Sequence, residues 1–555
     1  MRKTTIIISS CIVLLLLGYT GYRGYKVWKQ EHWLTMAKGF AAKADARNEV
    51  LCLRQVLGLN AQNLEACHLM ADLADAARSQ DALVWRQRLV DLNPNSLADR
   101  LALAQTAMFF SAFAIASNAL AGVDDVGQKT AVYQNAAGLL AAGAGQTSAA
   151  ETHFAEAIRL DVGNPIPQLN LAALQLHSSN ALDVAEARIN LKRISLNSTN
   201  LTIRNQAKRE LLTDALHNDD YDTAKTLAKE LAQATNAVFA DRLLRLEVLQ
   251  QAKSPEFQSA LSIYQHEAAA TPAKLSNMAL WLMQKISPAE SLAWLQSLPG
   301  PTQTNQPAAT LIAQCQIHLG QWHRLQVAIQ NQNWSELEFV RHAFLARALR
   351  GQDLQQAATS EWGVALNLAS DQKGALISLF RLSAEWQWHS EAEELLWILV
   401  NRYPEEHWAA PVLMQTLMNG GRTRPLMQLF GVLSRRTPAD LEMKNNLAFT
   451  ALLLGANELN PYNLAQTAYD GAPKNPSFAA TYAYSLYLQK KNAEALKVMQ
   501  RLASQDLANP AIAGYYGLIL KATGNAETAR SYLNLALKVR LLPEEQALFQ
   551  QALMK

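Results

Sequence analysis

The residues that come nearest to a chemical site are His318 and His323, which stand five apart. Two metal ligands on one helix face need a spacing of three or four, so the pair reads as ordinary polar helix residues. Glu391, Glu393 and Glu394 cluster where a helix begins, and the positive end of the helix dipole accounts for them without an ion. The cysteines, Cys11, Cys52, Cys67 and Cys315, form no CxxC pair. Cys52 and Cys67 read as buried thiols, with a bridge between neighbouring helices as the alternative. There is no GxxxxGK[ST] loop, no HExxH and no GxSxG, and no serine stands in a nucleophile setting. These absences argue against an enzyme and imply no cofactor and no small-molecule substrate. The enzymatic alternative places a site in an irregular stretch, 299–306 or 167–199.

Tryptophan is the compositional anomaly. Nine of twelve fall between Trp281 and Trp408. Trp362 and Trp397 lie on apolar helix faces and read as packing. Trp386 and Trp388 fall in a turn between helices and, with Trp408, form a candidate exposed aromatic patch for a protein or glycan partner.

The elements that would position these residues are helical. Half of the residues are apolar and 17% are charged, with Ala and Leu dominant, which is the composition of a folded helical chain. A net charge of +3 gives no electrostatic reason to expect a nucleic-acid partner. The decisive feature is a repeat of 34 residues. Pro404 and Pro438 are 34 apart, as are Pro476 and Pro510. Ala358, Ala392 and Leu426 keep the same interval, as do Ala82, Ala116 and Ala150, and Ala495 and Ala529. A large residue often follows four later and a small or apolar one three after that, as in Ala150, Phe154 and Ala157, or Ala358, Trp362 and Ala365. All three positions share one helix face. Twelve residues earlier stands another residue, often small, on the preceding helix: Gly138, Ala313, Ala346, Ala448, Ala483 and Gly517. Turn signals separate the two helices at Gly145-Gln146, Gly351-Gln352 and Gly524-Asn525. Each unit is thus a helix pair that buries its apolar face only against the next.

This pattern resembles the tetratricopeptide repeat family. Gly517, Leu520, Gly524, Ala529, Leu533 and Ala536, between Pro510 and Leu537, carry the family's signature spacing, and residues 219–224 resemble its second-helix opening. The large aromatic that the family places early in its first helix is mostly absent. Up to fifteen units fit between Ala44 and Val539. The resemblance implies an all-α fold: a right-handed superhelical solenoid of stacked antiparallel helix pairs. It also implies that the first helix of each pair lines a concave groove. Carried over, that geometry turns Arg347, Arg350, Arg381, Gln415, Tyr484 and Tyr487 towards the groove, where three guanidinium groups could clamp carboxylates or sulfates.

The sequence divides into an N-terminal anchor with a basic and aromatic flank (1–30), a first array (31–298), a proline-rich loop or hinge (299–307), a second array (308–540) and a capping helix (541–555). Residues 4–22 carry no charge, and nineteen helical residues span roughly 28 Å, close to a bilayer core. The expected fold is therefore the solenoid preceded by one transmembrane helix that contacts the lipid bilayer. A cleaved signal peptide, or a lipoprotein signal at Cys11, is the alternative. The charge flanks oppose each other, Arg2 and Lys3 arguing for a cytoplasmic N-terminus and Arg23, Lys26 and Lys29 for the reverse. The three-residue head resembles a bacterial signal-anchor, so the expectation is a bacterial inner membrane with the body outside the cytoplasm, the opposite orientation being the alternative. The function expected is a membrane-tethered scaffold that binds a protein segment or an envelope polymer in its groove. Envelope assembly, secretion or polysaccharide export is what the resemblance implies. A cytoplasm-facing regulator or assembly factor is the rival.

Overall fold

The computed structural model describes residues 24–554, which form helices and turns with no strand among them. The chain divides into two compact units between Trp281 and Leu282.

In the first unit, α1 (Ala131–Gly143), α2 (Thr147–Leu160), α3 (Pro165–Gln175), α4 (Ala181–Asn197), α5 (Leu201–His217), α6 (Tyr221–Gln233) and α7 (Phe239–Gln251) follow one another as hairpins. Each packs on its successor, and α3 also touches α1 and α5. The small-and-large pattern explains this stacking. Ala150, Phe154 and Ala157 are buried on α2, and Phe154 lies over Gly138 of α1. A Cβ at Gly138 would come within 2.6 Å of the Phe154 ring, so the glycine sets the distance between the two helices. The turn at Gly145 has φ +73°, and Gln146 N–H bonds back to the Ala141 carbonyl at 2.9 Å. Gly524 repeats this arrangement, with Asn525 N–H on the Leu520 carbonyl. Both are Schellman-type ends that let the chain reverse within a few residues.

The second unit runs through α8 (Ala308–His318), α9 (Trp322–Ile329), α10 (Glu338–Arg350), α11 (Gln355–Ala369), α12 (Lys373–Glu385), α13 (His389–Arg402), α14 (Ala409–Asn419) and α15 (Thr423–Arg436). It continues through α16 (Leu441–Leu454), α17 (Pro461–Gly471), α18 (Pro476–Leu488), α19 (Asn492–Met499), α20 (Pro510–Ala522), α21 (Ala526–Ala536) and α22 (Pro543–Met554). Successive helices pair, and even-numbered ones also meet along the array: α8 with α10, α10 with α12, α16 with α18, and α18 with α20. Pro476 and Pro510 open α18 and α20, each behind an asparagine whose side chain accepts a first-turn N–H. Such a cap is worth about 1 kcal/mol, and proline at the first position costs no hydrogen bond. The core around α12–α15 is built from Leu376, Leu379, Leu395, Leu399, Leu413 and Leu417, all fully buried. Each contributes about 2 kcal/mol by leaving water. The proline-rich stretch 299–307 lies inside this unit and contains a short helix, Gly300–Thr304.

One expectation is corrected here. The transmembrane helix expected over residues 4–22 lies outside the described residues, as does the membrane location inferred from them. Among the described residues no helix is long and apolar enough to cross a membrane. The helices α4 and α5 have 17 residues each and carry charged faces, whereas a span needs about 20 mostly apolar residues. The fold is an all-helical array of stacked hairpins without a membrane-spanning element among the described residues.

Candidate functional site

The tryptophans converge on the turns of the second unit. Trp322 opens α9, Trp386 ends α12 and Trp388 precedes α13. Between the last two, Gln387 has φ +58° and Trp388 N–H bonds to the Ser383 carbonyl at 2.8 Å, so this hairpin end presents both indoles. Arg347, in the last turn of α10, reaches into the space between them. Its guanidinium carbon lies 4.7 Å from the Trp322 ring centre, 5.9 Å from Trp388 and 6.0 Å from Trp386. Trp386 and Trp388 meet edge to face at 5.0 Å, and Trp388 meets Trp362 at 5.5 Å. The cage is therefore continuous with the core rather than an isolated surface patch.

Room for Trp322 comes from Gly351. A Cβ there would stand 2.4 Å from the indole. The sequence suggests Gly351 as a turn residue, but the left-handed position of this hairpin is Asp353, with φ +62°. Gly351 is small because an aromatic ring lies on it.

The electrostatics of the cage are one-sided. Arg347 is half-buried, and no hydrogen bond or ion pair joins it to another described residue; its Nε is buried without an acceptor. Burial pushes its guanidinium below the ordinary value, and the neighbouring Arg350 adds to the effect. Arg350 lies flat on Trp388, 3.6 Å from the ring centre, and is bound to Glu391 of α13. Its own Nε also has no acceptor. The cage thus holds two cations and one carboxylate. A planar guanidinium held between aromatic faces keeps its donor edge oriented, which suits a carboxylate in bidentate geometry.

The other residues singled out by the sequence are placed differently. Arg381 is exposed on α12. Gln415 is exposed on α14 and bonds to Asn419 at 2.9 Å. Trp408 is half-buried, with its indole N–H on Glu406 at 2.8 Å and its ring beside Phe380. Trp388 is only 6% exposed, so it is a wall of the cage and not an exposed aromatic. Tyr484 is 4% exposed, covered by α22, and Tyr487 stacks against it half-buried. His318 and His323 fall on α8 and α9, either side of a turn. Sequence reasoning missed Glu391 and Glu393. Assigned to a solvated first turn, they bind Arg350 and Arg422 instead. It also missed Trp322 and Gly351 as parts of one site, although 29 residues separate them, close to one repeat.

No protein-family model matches the chain, and no curated protein does. Matches among solved structures include one described as the functional characterization of Pseudomonas aeruginosa pilF, 14% identical, with a TM-score of 0.30, covering 41% of this chain and 99% of that one. A second is Naa15/Naa10 bound to HypK-THB, 12% identical, TM-score 0.28, covering 95% and 78%. A third is the APC/C hetero-tetramer Cut9-Hcn1, 13% identical, TM-score 0.24, covering 94% and 96%. At these scores the fold of this chain rests on its own helices.

Proposed function

We propose that the chain is a protein-binding scaffold and that the second unit anchors a partner through a carboxylate placed on Arg347. One observation carries this reading: a half-buried guanidinium walled by Trp322, Trp386 and Trp388 has no acid among the described residues. Withdrawing a cation from water costs several kcal/mol unless it is paired. Stacking on tryptophan returns about 0.5–2 kcal/mol, which is less than that cost. An incoming carboxylate supplies the missing pair. Arg381, exposed on the next even-numbered helix, adds long-range attraction for the same acidic segment. The role is recruitment and not catalysis. The pathway belongs to this proposal as well: envelope assembly, secretion or polysaccharide export, which the tetratricopeptide resemblance implies.

The test uses the full chain and a panel of acidic peptides, each matched by its Asn or Gln counterpart, with affinities read by fluorescence anisotropy. Acidic peptides should bind at least about tenfold more tightly than their amide twins, because a charge-assisted pair is worth about 1.5–3 kcal/mol. Arg347→Ala should abolish the difference. Arg347→Lys should restore little of it, since a point charge cannot replace the planar fork. Equal binding of acid and amide, or an unchanged difference in Arg347→Ala, defeats the proposal.

A further inference from the structure

The last helix folds back on the array that precedes it. α22 packs on α16, α20 and α21, and its entry reaches the turn between α14 and α15. There Thr423 binds Glu544, Arg540 binds the Asn419 carbonyl, and Pro543 sits against Gly421, contacts that join segments more than 120 residues apart. Leu542 is buried in the leucine core of α13–α15. One helical turn on, Glu545 is 7% exposed and accepts from Tyr515 Oη at 2.6 Å and from Leu542 N–H at 3.1 Å. Another turn on, Phe549 is 1% exposed among Leu452, Tyr484, Tyr515 and Leu518. Its ring lies on Gly514, where a Cβ would approach to 2.3 Å. The opposite face, Gln546, Gln550 and Gln551, is exposed.

This is how an amphipathic helix sits in a groove, with anchors one and two turns apart on a single face. The groove floor comes from even-numbered helices of successive pairs: α16, α18 and α20. The helix itself hangs on a non-helical connection, residues 537–542, whose Val539 and Arg540 are exposed. Glu545 enters the groove without a cation. Burial raises its carboxyl above the ordinary range, although the Tyr515 hydrogen bond opposes the shift. A buried acid held by a phenol and one backbone N–H is a weak clasp compared with an ion pair.

We infer that the groove over α16, α18 and α20 is a docking site for an amphipathic helix of the form Leu-x-x-Glu-x-x-x-Phe, and that α22 is its tethered occupant, displaced when a partner protein presents the same face. The site is separate from the Arg347 cage, and either can fail without the other. The tether gives α22 a high effective concentration, so a partner engages only when it binds more tightly or when α22 is weakened.

The probe is a labelled synthetic peptide of residues 541–555, offered to the full chain and to its Phe549→Ala variant, in which the occupant is weakened and the groove left intact. Binding to Phe549→Ala should be more than about tenfold tighter than to the unmodified chain, as loss of a buried aromatic anchor in the competitor requires. The same peptide with Ala in place of Phe should bind neither. Equal binding to the two chains, or none to either, overturns the inference. Hydrogen exchange on the unmodified chain gives a second measurement that needs no variant to fold. The α22 amides should exchange more than about a hundredfold faster than those of α20, because a releasable helix opens without global unfolding. Exchange of both helices at one common rate would make α22 a permanent part of the core and overturn the inference on its own.

Discussion

Arg86, Arg188 and Arg209 of the first unit have acids, and Arg347 of the second has tryptophans. Arg86 lies 2.6 Å from Asp72 and 2.7 Å from Asp75. Arg188 of α4 is paired with Asp214 of α5 at 2.7 Å. Arg209 of α5 takes Asp241 of α7 with both oxygens engaged, across one repeat. In each case a neighbouring helix supplies the carboxylate that the cation needs, and the pair belongs to the stack. Arg347 is held only by the faces of three indoles, and no described helix supplies an acid. Arg350, three residues on, shows that the second unit can do so, since Glu391 comes from α13 for that purpose. The difference separates arginines that hold repeats together from one that no described acid pairs, the one to which the proposed function assigns a partner's carboxylate.

The largest expected effect falls on the first side of this comparison. Asp241 is 1% exposed and also accepts the Val238 N–H at 3.1 Å, so it cannot leave its place when its partner is removed. Arg209→Ala therefore strands a buried charge and should destabilise the first unit by about 3 kcal/mol or more, read as a lowered urea midpoint by circular dichroism. Arg347→Met keeps the packing volume over the indoles and removes an unpaired cation. It should leave stability unchanged or raise it by up to about 3 kcal/mol, because the cost of withdrawing the cation from water is removed with it. Comparable losses in the two variants would mean that Arg347 is structural and would erase the distinction.

The hairpins were legible because each imposes the same steric demand at the same interval. Phe154 needs Gly138 and Leu533 needs Gly517, each a large residue on the second helix of a pair lying over a glycine on the first. The cage was legible only in parts. The turn placed Trp386 and Trp388 together, but nothing local shows that Arg347 and Arg350 of α10 lie over Trp388. Glu391 and Glu393 look like a charged first turn because their arginines lie 41 and 29 residues away, and no short motif records such a pair. Tyr484 lies on an even-numbered helix, as its phase required. Its cover comes from a helix some sixty residues later, and pattern within one repeat carries no information about such a return.

A middle-sized effect tests the glycines on each side. Gly138→Ala and Gly351→Ala each place a Cβ inside contact distance of a ring, at 2.6 Å and 2.4 Å. Both should cost about 1–3 kcal/mol of overpacking in denaturant unfolding. Only Gly351→Ala should also weaken acidic-peptide binding, because only there does the displaced ring orient a guanidinium. A loss of peptide affinity in Gly138→Ala would show that the measurement follows stability and not the cage.

The smallest effect isolates the indole itself. Trp322→Phe keeps an aromatic face near Arg347 but weakens the attraction between ring and cation, a difference of at most about 0.5–1 kcal/mol at a partly exposed site. Acidic-peptide affinity should fall by about two- to fivefold while the preference for acid over amide persists, since the donor fork remains. Trp362→Phe is the matching control: that ring is buried against Trp388 and does not touch the guanidinium, so its loss should register in stability and leave the peptide affinity unchanged. If Trp362→Phe and Trp322→Phe lowered affinity alike, the tryptophans would act as general filling, and the cage would lose its claim to hold Arg347 in a working orientation.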